Sequence, residues 1–159
     1  MKIIFIDVDG TLTDSELNFP QSAADAIKKS RAAGNKVYLC TGRHRDGITE
    51  AVWNIGLDGF LGDNGAYIES DGEILFQSEK NPDLNKATAV RFMLDHLGKT
   101  SDDAISFGDS KYDLPMFECC KVNVAMGNGS DEIKAVATFV TDSIFDDGIY
   151  HAFEKLNLF

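Results

Sequence analysis

The chain has 159 residues, enough for one domain that buries roughly 70% of its unfolded surface. It is 43% hydrophobic and 26% charged, the make-up of an ordinary soluble globular protein, with a formal charge of −11. The acidity and the lack of a basic run exclude a nucleic-acid groove, and the N-terminal apolar run, interrupted by Asp7, is expected to be neither signal peptide nor membrane span.

"KIIFIDV" predicts a fully buried strand, short and rich in Ile and Phe. "PQSAADAIKKSRAAG" predicts a helix, with Pro20 near its start and Gly34 as its stop. "KVYLCT" predicts the next strand, "DGITEAVWNIG" a helix and "GFLG" a short strand. "AYIESDGEILF" alternates around Asp71-Gly72, a hairpin signal of the two-residue type. "NKATAVRFMLDHLG" predicts a helix, "AISFGD" a strand and "YDLPMFECC" a short helix with Pro115 near its beginning. "KVNVAM" predicts a strand, "SDEIKAVA" a helix capped by Ser130, "TFVT" a last short strand and "GIYHAFEKL" a terminal helix. Strand and helix alternate, so the fold class is α/β, with a mostly parallel sheet and helices on both faces. No repeat or Pro/Gly-rich linker divides the chain, and residues 1–159 read as one domain.

In such sheets ligands sit beyond the carboxyl ends of the strands. The first strand ends at Asp7 with Asp9 just beyond, and the second ends at Thr41. "AISFGD" ends at Asp109, and Asp113 opens the following helix. Three or four carboxylates on one rim raise one another's pKa unless a cation shares them. A hard divalent ion with oxygen ligands, Mg²⁺, resolves the repulsion. With Lys86, a threonine hydroxyl and the backbone at Gly10, that rim suits a phosphate. One carboxylate is then free to attack phosphorus, and its neighbour can protonate the leaving alkoxide and later activate water.

The stretches "DVDGTLT", "TGR", "NKATAV" and "GDSKYD", in that order, resemble the four motifs of the haloacid dehalogenase superfamily of phosphatases. "DNGAYI" before the hairpin and "VAMGNG" after the last acid are similar to its Cof-like branch, and the likeness covers nearly the whole chain. The resemblance implies a Rossmann-like core that hydrolyses small phosphomonoesters, sugar phosphates or similar, through an aspartyl-phosphate. It implies Asp7 as nucleophile and Asp9 as general acid/base, with Thr41, Gly42 and Lys86 binding the phosphoryl oxygens. Mg²⁺ would be held by the Asp7 carboxylate, the Asp9 backbone carbonyl and Asp109, with Asp113 as a direct or indirect ligand. Asn64 falls near the site entrance.

Two departures stand out. Tyr112 occupies the place of an Asn in the family's "GDxxND". Cof-like enzymes also carry a cap domain between the hairpin and the motif lysine, whereas residues 77–85 here form only a short linker. The resemblance thus implies a capless core, by nature or by deletion, with the hairpin in the cap's place. The expected partner is a small phosphorylated metabolite, and neither nucleic acid nor a membrane. An uncapped rim further implies either a homo-oligomer whose interface borders the hairpin, through Tyr67, Ile74 or Phe76, or a monomer of poor selectivity.

Other readings of the same residues are simpler. Asp7 and Asp9 alone would pass as turn formers beside Gly10, and Asp113 as an acid favoured by a helix N-terminus. Arg43 and His44 are solvated loop residues or substrate contacts. His96 and His151 lie far in sequence from any acid cluster, so no zinc site is expected. Cys40 and Trp53 read as packing groups, and three cysteines, two of them adjacent, give no disulfide framework and fit the cytoplasm. The rival function is a regulatory or binding protein in which Asp7 accepts phosphate but turns over poorly; Asp9, placed for acid/base work, favours the enzyme.

Overall fold

In the computed structural model, which describes residues 1–159, the run IIFI forms strand β1 (Ile3–Ile6) in the middle of an eight-stranded sheet. The others are β2 (Lys36–Cys40), β3 (Gly59–Gly62), β4 (Tyr67–Ser70), β5 (Glu73–Gln77), β6 (Ala104–Gly108), β7 (Val122–Ala125) and β8 (Phe139–Val140). Their order is β5-β4-β3-β2-β1-β6-β7-β8, with β4 alone running against the rest, so that only the β3–β4 and β4–β5 pairings are antiparallel. The chain winds outward from β1 through β2 and β3, then returns to lay β6 on the other side of β1. That reversal is the switch point at which sheets of this kind open a ligand crevice.

Successive β1 side chains point to opposite faces, and all four are buried. Ile4 and Ile6 enter the core under α1 (Gln21–Ala32), α2 (Glu50–Trp53) and α6 (Gly148–Lys155). Ile3 and Phe5 enter the core under α3 (Lys86–Leu97), α4 (Leu114–Phe117) and α5 (Asp131–Val136). Helices therefore cover both faces, as the alternating pattern predicts. No helix is long and apolar enough to cross a membrane.

Three local expectations change. Asp7, Thr41 and Asp109 each lie one residue past the end of their strands, in the turns rather than the ladders. The helix expected over "DGITEAVWNIG" is a 3-10 turn (Arg45–Gly47) followed by the single turn α2. Ile48 between them is extended, consistent with the poor helix propensity of the Gly47-Ile48-Thr49 run. The hairpin forms as expected, with Asp71 and Gly72 both at positive φ (51° and 81°), but its apolar exposure is narrower. Tyr67 is buried against Phe60 and Phe76 is half-buried against Phe92, which leaves Ile74 as the exposed large side chain.

Candidate active site

The turn after β1 folds back through Gly10, whose φ of +83° and close approach to Asp109 admit no side chain: a Cβ there would lie 2.1 Å from the Asp109 carboxylate. The Asn128 side-chain amide donates to the Gly10 carbonyl (2.8 Å), and the Thr11 hydroxyl donates to Asp109 Oδ1 (2.9 Å). Asp7 is therefore presented at the buried floor of the crevice, with Asp109 beside it.

Lys86 reaches this floor because of how α3 begins. Asn85 and Thr88 form a reciprocal capping box, each side chain accepting from the other's backbone N–H at 3.0 Å. That fixes Lys86 at the first helical position, from which it runs inward. Its Nζ donates to Asp7 Oδ1 (2.8 Å) and Asp113 Oδ1 (2.6 Å). Asp113 is fully buried and its other oxygen accepts from the backbone N–H groups of Asp109 (2.9 Å) and Ser110 (3.3 Å). Asp113 thus braces both the lysine and the Asp109 turn.

One carboxylate oxygen from each of Asp7, Asp109 and Asp113 falls within 4.8 Å of the others. Burial pushes the Asp7 carboxyl well above its ordinary range, Lys86 pulls it back, and Asp113 raises it further. Burial also raises Asp109, whose carboxyl lies within hydrogen-bonding reach of Asp7. Burial alone would lower the Lys86 ammonium, but Asp7 and Asp113 more than offset this and hold it above the usual lysine value. An acid trio with one lysine is short of positive charge, and that donor set fits a hard divalent cation. The Asp9 carbonyl accepts no backbone hydrogen bond and is free to act as a further ligand.

Thr41 sits across the crevice, buried, its Oγ1 accepting from the Arg43 N–H (3.0 Å) and so keeping its own proton to donate. A cleft of 340 Å³ opens over this floor and brings together Asp7, Asp9, Thr41, Gly42, Lys86 and Asn64, with Arg43, Ser110 and Tyr112. The structure thus gathers every residue implicated from the sequence, Asp109 and Asp113 lying just behind Gly10 and Lys86.

Sequence reasoning missed the role of Arg43, which holds the Asp9 carboxylate in a two-pronged ion pair. The two residues after it are tied down as well: His44 contacts Asp63 at 2.8 Å, and Arg45 donates to Glu69 at 2.6 Å while stacking over Trp53. The signal available was a pair of arginines, Arg43 and Arg45, just past a strand end in a chain rich in acids. His96 and His151 lie away from the acid trio, and Cys40 is core.

A family model described as "haloacid dehalogenase-like hydrolase" matches residues 4–84 and 80–153. A phosphoglycolate phosphatase of Nitrosopumilus maritimus is 36% identical over 76 residues, covering 48% of this chain and 33% of that protein, so the chain spans about a third of its length. YkrA of Bacillus subtilis is 22% identical over 252 aligned positions, covering 99% of this chain and 98% of YkrA. Among solved structures, BT1666 of Bacteroides thetaiotaomicron superposes with a TM-score of 0.91 at 20% identity, covering 100% of this chain and 96% of that one. The subclass IIB sugar phosphatase BT4131 superposes with a TM-score of 0.88 at 20% identity, over 100% of both chains. These likenesses bear out the fold. The chain belongs to the haloacid dehalogenase-like hydrolases, in the Cof-type branch, and is a hydrolase of the phosphatase kind.

Proposed function

We propose that the protein hydrolyses small phosphomonoesters, sugar phosphates or similar, through an aspartyl-phosphate on Asp7, with Mg²⁺ as cofactor. The observation that carries this is the buried Asp7 carboxylate, set between the Lys86 ammonium and the Asp109 carboxylate at the sheet's switch point. A phosphoglycolate phosphatase and a sugar phosphatase among the similar proteins support the substrate class.

In the first half-reaction an Asp7 oxygen attacks phosphorus in line, and the P–O bond to the leaving group breaks as the Asp7–P bond forms. Asp9 gives its proton to the departing oxygen. In the second half-reaction Asp9 takes a proton from water, whose oxygen attacks phosphorus and frees Asp7 and inorganic phosphate. Thr41 and Lys86 hold the phosphoryl oxygens throughout. Asp7, the Asp9 carbonyl and Asp109 would hold Mg²⁺, which supplies positive charge against the phosphoryl oxygens. Asp113, with both oxygens already engaged, acts by bracing Lys86 and Asp109.

Hydrolysis of p-nitrophenyl phosphate tests this directly. Mg²⁺ should activate, exhaustive EDTA should abolish turnover, Ca²⁺ should inhibit through its looser coordination, and Asp7→Asn should be inactive. Near-wild-type turnover by Asp7→Asn overturns the nucleophile assignment. One observation favours the regulatory reading, namely that Arg43 occupies both oxygens of the acid/base Asp9. A burst of one equivalent with no steady-state turnover would select that reading.

The linker of residues 77–85 supports a core without a cap, as does a family match that falls in two pieces meeting near residue 80. YkrA also needs 252 aligned positions against a chain of 159 residues. A second copy roofing the cleft beside Ile74 on the outer strand β5, or a monomer of low selectivity, completes the proposal. Three free, buried cysteines support a reducing cytoplasm.

A further inference from the structure

We propose that Tyr112 is the platform for the leaving group, and that the cleft favours phosphomonoesters whose alcohol carries a flat ring. The inference rests on the phosphatase reading above and names the substrate class for it.

The phosphoryl end of the cleft is its buried floor at Asp7 and Lys86, so the leaving group must extend toward the lining residues that solvent reaches. Those are the exposed Gly42, Asn64 and Tyr112, with the half-buried Asp9, Arg43 and Ser110; Gly42 has no side chain to offer. Arg43 is committed to Asp9, and Asn64 offers one amide. Tyr112 is the single apolar residue of the lining, and at 72% exposure it is the most exposed large apolar side chain of the protein. Core packing does not account for a ring so placed.

Its backbone is also fixed. The 3-10 turn Lys111–Asp113 is closed by Ser110, whose hydroxyl oxygen accepts the Tyr112 N–H at 3.3 Å. The next residue, Asp113, is anchored through both carboxylate oxygens to Lys86, Asp109 and Ser110. The turn cannot swing away without breaking the brace behind Lys86, so the backbone that carries Tyr112 is held at the cleft mouth, and the ring meets the Lys111 ammonium, 5.5 Å from its centroid. An aromatic face on a fixed turn gains stacking and dispersion from a flat ligand at the ordering cost of one side chain. An acyclic alcohol has no face to offer it. Both an aryl group and the apolar face of a sugar ring meet the requirement.

The test compares steady-state kinetics of wild type, Tyr112→Ala and Tyr112→Phe, with Mg²⁺, on p-nitrophenyl phosphate, glucose 6-phosphate and glycerol 3-phosphate. Tyr112→Ala should raise KM for at least one ring ester by about three- to tenfold, the usual worth of one stacked aromatic. Its kcat should stay within about twofold, the acyclic ester should be unaffected, and Tyr112→Phe should match wild type. A loss confined to the aryl ester identifies an aromatic alcohol, and one confined to the hexose ester a sugar; either sustains the platform. Equal KM changes on all three esters, or none, overturn it while leaving the phosphatase reading intact. No turnover of any ester by wild type removes both.

Discussion

Arg43 takes both carboxylate oxygens of Asp9, Nε donating to Oδ2 and Nη2 to Oδ1, each at 2.7 Å. The same guanidinium donates to the carbonyls of Gly47 (3.2 Å) and Ser15 (3.3 Å), so it fastens Asp9, the proposed acid/base, to both of these loops. Such a planar fork cannot be reproduced by lysine. Arg43→Ala should lower kcat on p-nitrophenyl phosphate by about tenfold or more, out of the 10²–10⁴-fold that a positioned acid/base supplies, and Arg43→Lys should recover little of it. Wild-type kcat in Arg43→Ala would show that Asp9 needs no such support.

Asp9→Asn separates the two half-reactions. An amide at position 9 cannot deprotonate water, whereas Asp7 and Lys86 stay in place to receive a phosphoryl group from an activated donor. The intact-protein mass after incubation with acetyl phosphate and Mg²⁺ should therefore show a long-lived phosphoryl adduct, lost in the double variant with Asp7→Asn. Rapid release of that adduct would assign the water-activating role elsewhere.

The raised Asp7 carboxyl ties stability to pH. A carboxyl whose folded pKa lies above its unfolded value binds its proton more tightly in the folded state. Its stabilising share is complete below the unfolded pKa and is lost as pH rises through the folded one. Metal-free protein should thus melt at falling temperature as pH climbs above the ordinary carboxylate range. Mg²⁺ competes for the same oxygens, so its gain in Tm should grow over that interval. Thermal melts in EDTA and in Mg²⁺ at several pH values provide the comparison, and a Mg²⁺ gain that is flat with pH contradicts it.

Gly10→Ala should damage both fold and site. The new methyl meets Asp109 at 2.1 Å on a backbone at φ +83°. Urea unfolding should show a loss of more than about 1 kcal/mol, and Mg²⁺ affinity should fall as Asp109 is displaced. Wild-type values for both would mean that the turn relaxes freely.

Much of this was legible in the sequence because the rules involved are local. Four continuous apolar residues before Asp7 specify a strand buried on both faces, and Asp71-Gly72 specifies the turn of the β4–β5 hairpin directly. Asn85 three residues before Thr88 carries the cap that aims Lys86, a local signal that the reading of "NKATAVRFMLDHLG" as a helix passed over. What stayed hidden depends on distant partners. Nothing near Arg43 announces that Asp9 lies within its reach, 34 residues away in sequence. The burial of Tyr67 was equally invisible, because strand alternation tells that Tyr67 and Ile74 differ from their neighbours but not which face Phe60 will cover. The helix foreseen at "DGITEAVWNIG" is broken at the extended Ile48, and Arg43, whose own partner Asp9 is distant in sequence, also bonds the Gly47 carbonyl there.

The stretch between Gln77 and Lys86 joins the outermost strand of the sheet to the first residue of α3. Its two ends are anchored independently, one in the β4–β5 ladder and the other in the Asn85–Thr88 cap. Extra chain inserted in an exposed connection of this kind adds only about 0.6 kcal/mol of closure entropy for each doubling of its length. The segment is accordingly a docking bay for protein engineering: a foreign domain grafted there would enter the chain just before Lys86, a residue of the cleft lining. A ligand that strained such a domain would pull on the residues next to the cap that sets Lys86, which under the proposed mechanism would make hydrolysis ligand-gated.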